Sequence, residues 1–224
     1  DARKSKSQAA YRAWLNLAVI HSALGEHQAA LDCVASAQGL AGMSSNISLI
    51  KARVLRLAGR DQEAIVAVNA GLQLEPSDPS LLEMQGELLT LTGRPEEALT
   101  NLSEALTHSQ TYHLFVQRAR TFMALGRYSE AIQDWTIAIR RDPLMPQALV
   151  GRAWTCFQLS EWDRAIADLE QASIWAHDNL PLQLGILVAY SKCLEKRPDH
   201  WGRWRSLVDR IGFHLPFDGL ALFN

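Results

Sequence analysis

The sequence predicts an all-α solenoid of stacked helical hairpins, and three observations predict it. One phrase recurs five times, "ALGEHQAALDCV" from Ala23, "LAGRDQEAIVAV" from Leu57, "LTGRPEEALTNL" from Leu91, "ALGRYSEAIQDW" from Ala124 and "QLSEWDRAIADL" from Gln158. Its small residue, at Ala30, Ala64, Ala98, Ala131 and Ala165, returns at intervals of 34, 34, 33 and 34 residues. Apolar residues recur at steps of three and four, as in Ile132, Trp135, Ala138 and Ile139, while the alternation of a half-buried strand is absent.

Each phrase breaks at the same place. Gly25, Gly59, Gly93, Gly126 and Ser160 hold one register, where a left-handed helix ending favours a residue without a β-carbon. Acidic or helix-starting residues follow, such as Asp61, Pro95 with Glu96 and Glu97, and Ser129 with Glu130, and these suit the free N–H groups of a new helix. The spacing predicts paired helices over 8–24 and 27–39, 46–58 and 61–74, 79–92 and 95–107, 111–125 and 128–141, and 145–159 and 162–175. A sixth, irregular pair at about 180–195 and 199–211 lacks the small residue in register and is expected to cap the stack. The connectors are too short for linkers. A single domain over 1–224 is therefore expected, with repeats at about 11–44, 45–78, 79–111, 112–145 and 146–179 and a cap at 180–224.

Composition narrows the partners. Lys and Arg number 22 against 24 Asp and Glu, so a net charge of −2 gives no general attraction to nucleic acid or an anionic membrane. Cys33, Cys156 and Cys193 form no CxxC pair, which argues against a disulfide framework or a structural zinc site; they read as small core residues in a reducing compartment. No apolar run approaches the ~18 residues of a spanning helix, so no membrane insertion is expected, and a cytoplasmic setting is the expectation. The opening "DARKSKSQ" has neither an initiator Met nor the apolar segment of a secretion signal, as in a piece excised from a longer polypeptide.

With this period and these residues the chain resembles the tetratricopeptide repeat, whose pattern is Trp, Leu-Gly and Tyr on the first helix, then Ala, Phe and Pro. Repeat one supplies Trp14, Leu17, Ala18, His21, Ala30, Val34 and Ala37; repeat three supplies Leu82, Gly86, Leu89, Ala98, Leu102 and Ala105; repeat four supplies Phe115, Ala119, Phe122, Ala131, Trp135, Ala138 and Pro143. Lys51, Gln85, Arg118 and Arg152 depart from the family's usual Leu, Ser48 from its aromatic, and only Pro76 and Pro143 close their repeats. Apart from the resemblance, close approach of successive hairpins requires Ala18, Ala52, Gly86, Ala119 and Ala153 to face Ala30, Ala64, Ala98, Ala131 and Ala165. A bulky side chain there overpacks the core at a cost of roughly 1–3 kcal/mol. No hairpin of this size buries its own apolar face, so neighbours complete each core. The resemblance implies a right-handed superhelix whose first helices line a concave groove.

That arrangement makes equivalent first-helix positions neighbours. One ladder is Arg53, Glu87, Arg120 and Trp154; a second is Leu15, Leu49, Glu83, Val116 and Val150; a third is Ser22, Arg56, Thr90, Met123 and Phe157. The alternating charge of the first reads equally as ion pairs stiffening the wall and as ligand recognition. Val116, Met123, Val150, Trp154 and Phe157 are expected to expose an apolar protein-binding patch, unless the sixth helical pair covers Trp154 and Phe157. Glu83 and Glu87, four apart on one helix, repel mildly and would welcome a basic group. The carboxylate-clamping set of some tetratricopeptide proteins, Lys, Asn, Asn, Lys and Arg, is missing: Leu49, Arg53, Met84, His113 and Gln117 stand in its place.

Other signals carry less. "KRPDHWGRWR" (196–205) mixes basic and aromatic residues, but Trp201 and Trp204 are spaced to share one helical face, which reads as a packed cap. His108 and His113 flank a turn and read as solvated; no HExxH, phosphate loop, nucleophile elbow or dinucleotide fingerprint occurs, so no cofactor, metal or catalysis is expected. The sequons at Asn46 and Asn101 read as chance. The apolar tail "HLPFDGLALFN" is expected to fold back on the last helix, or else to lead into a following domain or support self-association with another copy. The function expected is an interaction scaffold or adaptor holding a peptide or protein segment. Its alternatives are a regulatory or substrate-docking region of a multidomain enzyme, of kinase or glycosyltransferase type, and a self-assembling structural array.

Overall fold

A computed structural model describes residues 2–176 and 179–211. The apolar tail from His214, with its expected fold-back, lies outside these residues. Among them are twelve α-helices and one short 3-10 turn, and no strand. The helices are α1 (Ala2–Ala23), α2 (His27–Ala41), α3 (Ser45–Leu57), α4 (Asp61–Leu74), α5 (Pro79–Leu91), α6 (Pro95–His108), α7 (Tyr112–Ala124), α8 (Tyr128–Arg141), α9 (Pro146–Gln158), α10 (Trp162–Ile174), α11 (Leu180–Leu194) and α12 (Trp201–Ile211), with the 3-10 turn at Pro198–His200. This is the all-α hairpin-repeat class that the spacing predicts. The largest difference is at the start, where α1 begins at Ala2 rather than near residue 8.

The turns follow the chemistry read from the repeated phrase. Gly25, Gly59, Gly93 and Gly126 have φ of 78°, 71°, 80° and 71°, and Ser160 takes the same left-handed region at 61°. Serine carries a β-carbon into a conformation that costs L-residues roughly 1–2 kcal/mol, against a smaller entropic cost for glycine. Ser160→Gly is therefore expected to stabilise the fold by about 0.5–1 kcal/mol, measured as a higher denaturant midpoint; an unchanged or lower midpoint contradicts the strain. The starts are capped where the backbone needs it: Ser44 accepts from the Ile47 N–H, Asp78 from those of Ser80 and Leu81, and Asn179 from that of Leu182. The turns add a side-chain pair three residues apart, Arg60–Glu63, Arg94–Glu97 and Arg127–Glu130, with the charges exchanged at Glu161–Arg164. These exposed pairs fix local geometry more than they stabilise.

Packing divides the chain into two compact units, residues 1–125 and 126–224, with the boundary in the turn of the fourth repeat. In the first unit α1, α3, α5 and α7 lie side by side, while α2, α4 and α6 touch only these first helices and not one another. The first helices therefore form the inner row of this unit. Ala18, Ala52, Gly86 and Ala119 allow that approach: the three alanines are fully buried, as are Ala30, Ala64 and Ala98. A β-carbon on Gly86 would come within 2.6 Å of Leu102, which names the side chain that fills the space.

In the second unit α9 packs between α8 and α10, α11 adds to α9 and α10, and α12 closes over α10 and α11. Its core joins Leu149, Cys156, Ile166, Leu169, Ile186, Tyr190 and Leu207. Trp135 is almost wholly buried, and a β-carbon on Gly151 would sit 2.5 Å from its ring. Trp201 and Trp204 stack at 4.8 Å and pack against this core, so the basic-aromatic stretch serves the cap. All three cysteines are free and buried. Burial pushes the thiols of Cys156 and Cys193 up to about 11, which leaves them protonated at neutral pH.

Candidate functional site

Two of the four residues that stand in the family's leucine position prove to be structural ties. Gln85 on α5 donates through Nε2 to Asn69 Oδ1 on α4 at 2.7 Å and accepts from Asn101 Nδ2 on α6 at 2.7 Å. Arg152 on α9 holds the equivalent place in its repeat. Its Nη1 donates to Thr136 Oγ1 on α8 at 3.1 Å, and its Nε and Nη2 donate to the Asp168 carboxylate on α10 at 2.8 and 2.7 Å. Each bridges the second helix before it and the one after it, sixteen residues away on either side. The sequon at Asn101 is thus a half-buried member of an amide chain.

On the inner row of the first unit the charged candidates come together, though not as the ladder pairs them. Glu87 on α5 meets Arg56 on α3 at 3.4 Å, not Arg53. Arg53 is exposed, yet its charge, with that of His113 on α7, reaches Glu83. Burial raises the Glu83 carboxyl above its ordinary range, outweighing the attraction of His113 and Arg53, and Glu87 adds to the rise. Arg120 is exposed and Met123 half-buried. Val116, expected on the exposed patch, is instead buried on α7 at only 6% exposure. Among the described residues, Arg56 Nε and Ser22 Oγ are buried with no hydrogen-bond partner.

A titration follows from Glu83. A carboxyl whose folded pKa lies above its unfolded value binds its proton more tightly when folded, so stability falls as pH rises from the ordinary 4.5 through the raised value. Glu83→Gln is expected to stabilise the first unit at neutral pH and to match the parent below both values. Unfolding midpoints at pH 7 and pH 3.5 check this, and an acid-independent difference contradicts it.

In the second unit Val150, Trp154 and Phe157 pack partly exposed against the core. Trp154 meets Phe157 edge-on at 5.7 Å, and Phe157 meets Trp162 at 5.0 Å. The Lys192 ammonium of α11 lies 5.1 Å from the centre of the Trp154 ring. Lys192 of the sixth helical pair thus reaches Trp154, which stays half-buried rather than sealed. Lys192 and Trp162 were not among the sequence candidates; Trp162 stands in the fifth copy of the phrase, while nothing in register marks Lys192. Among the described residues, no group of His, Cys, Asp and Glu is arranged to hold a metal ion, and no helix is long and apolar enough to cross a membrane.

Hairpins of this period, joined through small residues and presenting a row of inner-helix side chains, define a tetratricopeptide-repeat fold. Two segments, residues 11–41 and 116–179, match family models described as tetratricopeptide repeat, so the chain carries tetratricopeptide repeats. It is 38% identical over 60 residues to a rice (Oryza sativa subsp. japonica) Protein SGT1 homolog, covering 27% of this chain and 16% of the relative. It spans 13% to 20% of the length of the curated relatives it matches. Among solved structures, TTC0263, a thermophilic TPR protein of Thermus thermophilus, aligns with a TM-score of 0.72 at 21% identity, over 80% of this chain and 98% of that one. YrrB, described as a TPR protein with an unusual peptide-binding site, aligns at 0.59 and 20% identity, over 80% and 90% of the two chains. Proteins of this class generally act as interaction scaffolds.

Proposed function

We propose that the chain holds a peptide or protein segment on its first-helix surfaces and performs no catalysis. The observation that carries this is the half-buried aromatic pair Trp154 and Phe157 on α9, seated on the core of the second unit, with Trp162 of α10 edge-on to Phe157. Rigid aromatic side chains on a packed base are the usual anchors of protein interfaces. With Val150 they accept apolar side chains of an extended or helical segment. On the first unit, Arg53, Arg56, Glu83, Glu87 and Arg120 accept charged and polar groups, with Met123 beside them. A basic group relieves the repulsion between Glu83 and Glu87. The described peptide-binding site of YrrB supports the class of ligand, not its sequence.

Peptides selected from a displayed library against the folded chain serve as the probe, with affinity read by fluorescence polarisation. Trp154→Ala with Phe157→Ala is expected to weaken the selected peptides at least about tenfold, the loss of one interface anchor, while the circular dichroism stays unchanged. Full affinity in that variant, or a library that yields no binder, refutes the reading.

A further inference from the structure

The inner row of the second unit does not keep the spacing of the repeat. Arg152 on α9 donates to Thr136 on the second helix before it, and on α11 the Tyr190 hydroxyl donates to Glu170 on the second helix before that one, at 3.1 Å. Thr136 and Glu170 stand 34 residues apart, but Arg152 and Tyr190 stand 38 apart. The chain therefore inserts four residues before α11 makes the equivalent contact. At the usual spacing Val188 would stand beside Trp154; with the insertion Val188 takes the place equivalent to Val150, and Lys192 that of Trp154. The packing agrees. Ile186, Tyr190 and Cys193 are buried in the core, Val188 is 53% exposed, and the Lys192 ammonium lies 5.1 Å from the centre of the Trp154 ring.

Charge on this face is one-sided. In the first unit Arg56 is answered by Glu87, whereas neither α9 nor α11 contains an acidic residue. Each carries one Lys or Arg. Arg152 is held by the Asp168 carboxylate, but among the described residues Lys192 has no carboxylate partner and is exposed. Glu195, in the place equivalent to Phe157, is exposed just past α11 beside Lys196 and forms no ion pair with Lys192. An ammonium drawn to the face of an indole keeps donors for an anion on its outer side. One such group among apolar side chains suits a carboxylate that stays partly in water, with an apolar neighbour to cover the ring.

We propose that the second unit selects segments in which an acidic side chain adjoins an apolar one. The apolar side chain rests on Trp154, Phe157 and Val188, and the carboxylate, from Asp or Glu within the segment and not from a chain end, pairs with Lys192. This rests on the reading of Trp154 and Phe157 as peptide anchors.

Random peptides displayed without a free carboxyl end are the probe, selected against the whole chain. Asp or Glu beside an apolar residue is expected to be enriched. Exchanging that acid for its amide in a synthetic, C-terminally amidated peptide is expected to weaken binding at least about threefold, the scale of one partly exposed ion pair. The same exchange is expected to change nothing in Lys192→Met, which keeps the stem over Trp154 and removes the charge. A fresh selection on Lys192→Glu is expected to enrich Lys or Arg instead. If Lys192 only covers the indole, the selected peptides show no acid preference, or the same preference in Lys192→Met, and either result overturns the proposal. Binders that need Trp154 and Phe157 but ignore the charge at position 192 overturn it while leaving the anchors standing. Binders indifferent to Trp154→Ala with Phe157→Ala, or no binder at all, overturn both.

Discussion

Arg152→Leu is expected to destabilise the second unit by about 3–5 kcal/mol, although leucine is what the family pattern favours at this place. The reason is Asp168, whose side chain is only 8% exposed and takes both of its charge-assisted hydrogen bonds from the guanidinium. Removing Arg152 strands a carboxylate away from water, and the Thr136 hydroxyl loses its donor as well. Replacing both partners removes the stranded charge, so Arg152→Leu with Asp168→Leu is expected to recover most of the loss. Urea unfolding of the two single variants and the double variant measures the coupling. If Arg152→Leu alone is neutral, or the double variant equals the sum of the singles, the tie contributes little.

Trp135→Ala is expected to cost a similar amount, about 3–5 kcal/mol, by cavity formation. Trp135 is 1% exposed and donates from Nε1 to Thr155 Oγ1 at 3.1 Å, and its ring occupies the space left by the missing side chain of Gly151. Thr155 keeps a bond of its own to the Gly151 carbonyl, so the loss is one of packing rather than of an orphaned polar group. Thr155→Val, which keeps the volume but leaves the Trp135 N–H without its acceptor, is expected to cost less, about 1–3 kcal/mol. A thermal or denaturant melt in which the two variants lose equal stability contradicts this division.

Most of the fold was legible because its physics is local and repeats. A small residue every 33 or 34 positions and a turn residue needing positive φ are written into each phrase, and even the exception, Ser160, adopts the conformation its register demands. The ties at Gln85 and Arg152 were not legible as such. A pattern that treats each repeat alone sees a polar residue in a leucine position. The compensation lies sixteen residues away in both directions, at Asn69 and Asn101 or Thr136 and Asp168. The site was legible by type and less so by pairing. Adjacent first helices do put opposite charges within reach, but one turn of offset decides that Glu87 meets Arg56 rather than Arg53.

The amide chain from Asn69 through Gln85 to Asn101 has a mechanical consequence. It ties the second helices of neighbouring hairpins, α4 and α6, through α5 at a set spacing, and the spacing of second helices against the tightly packed inner ones sets how sharply the wall of the first unit bends. Three uncharged carboxamides thus act as a spacer whose length neither salt nor acidity alters, holding the radius of curvature steady while the charged residues along the wall respond to both.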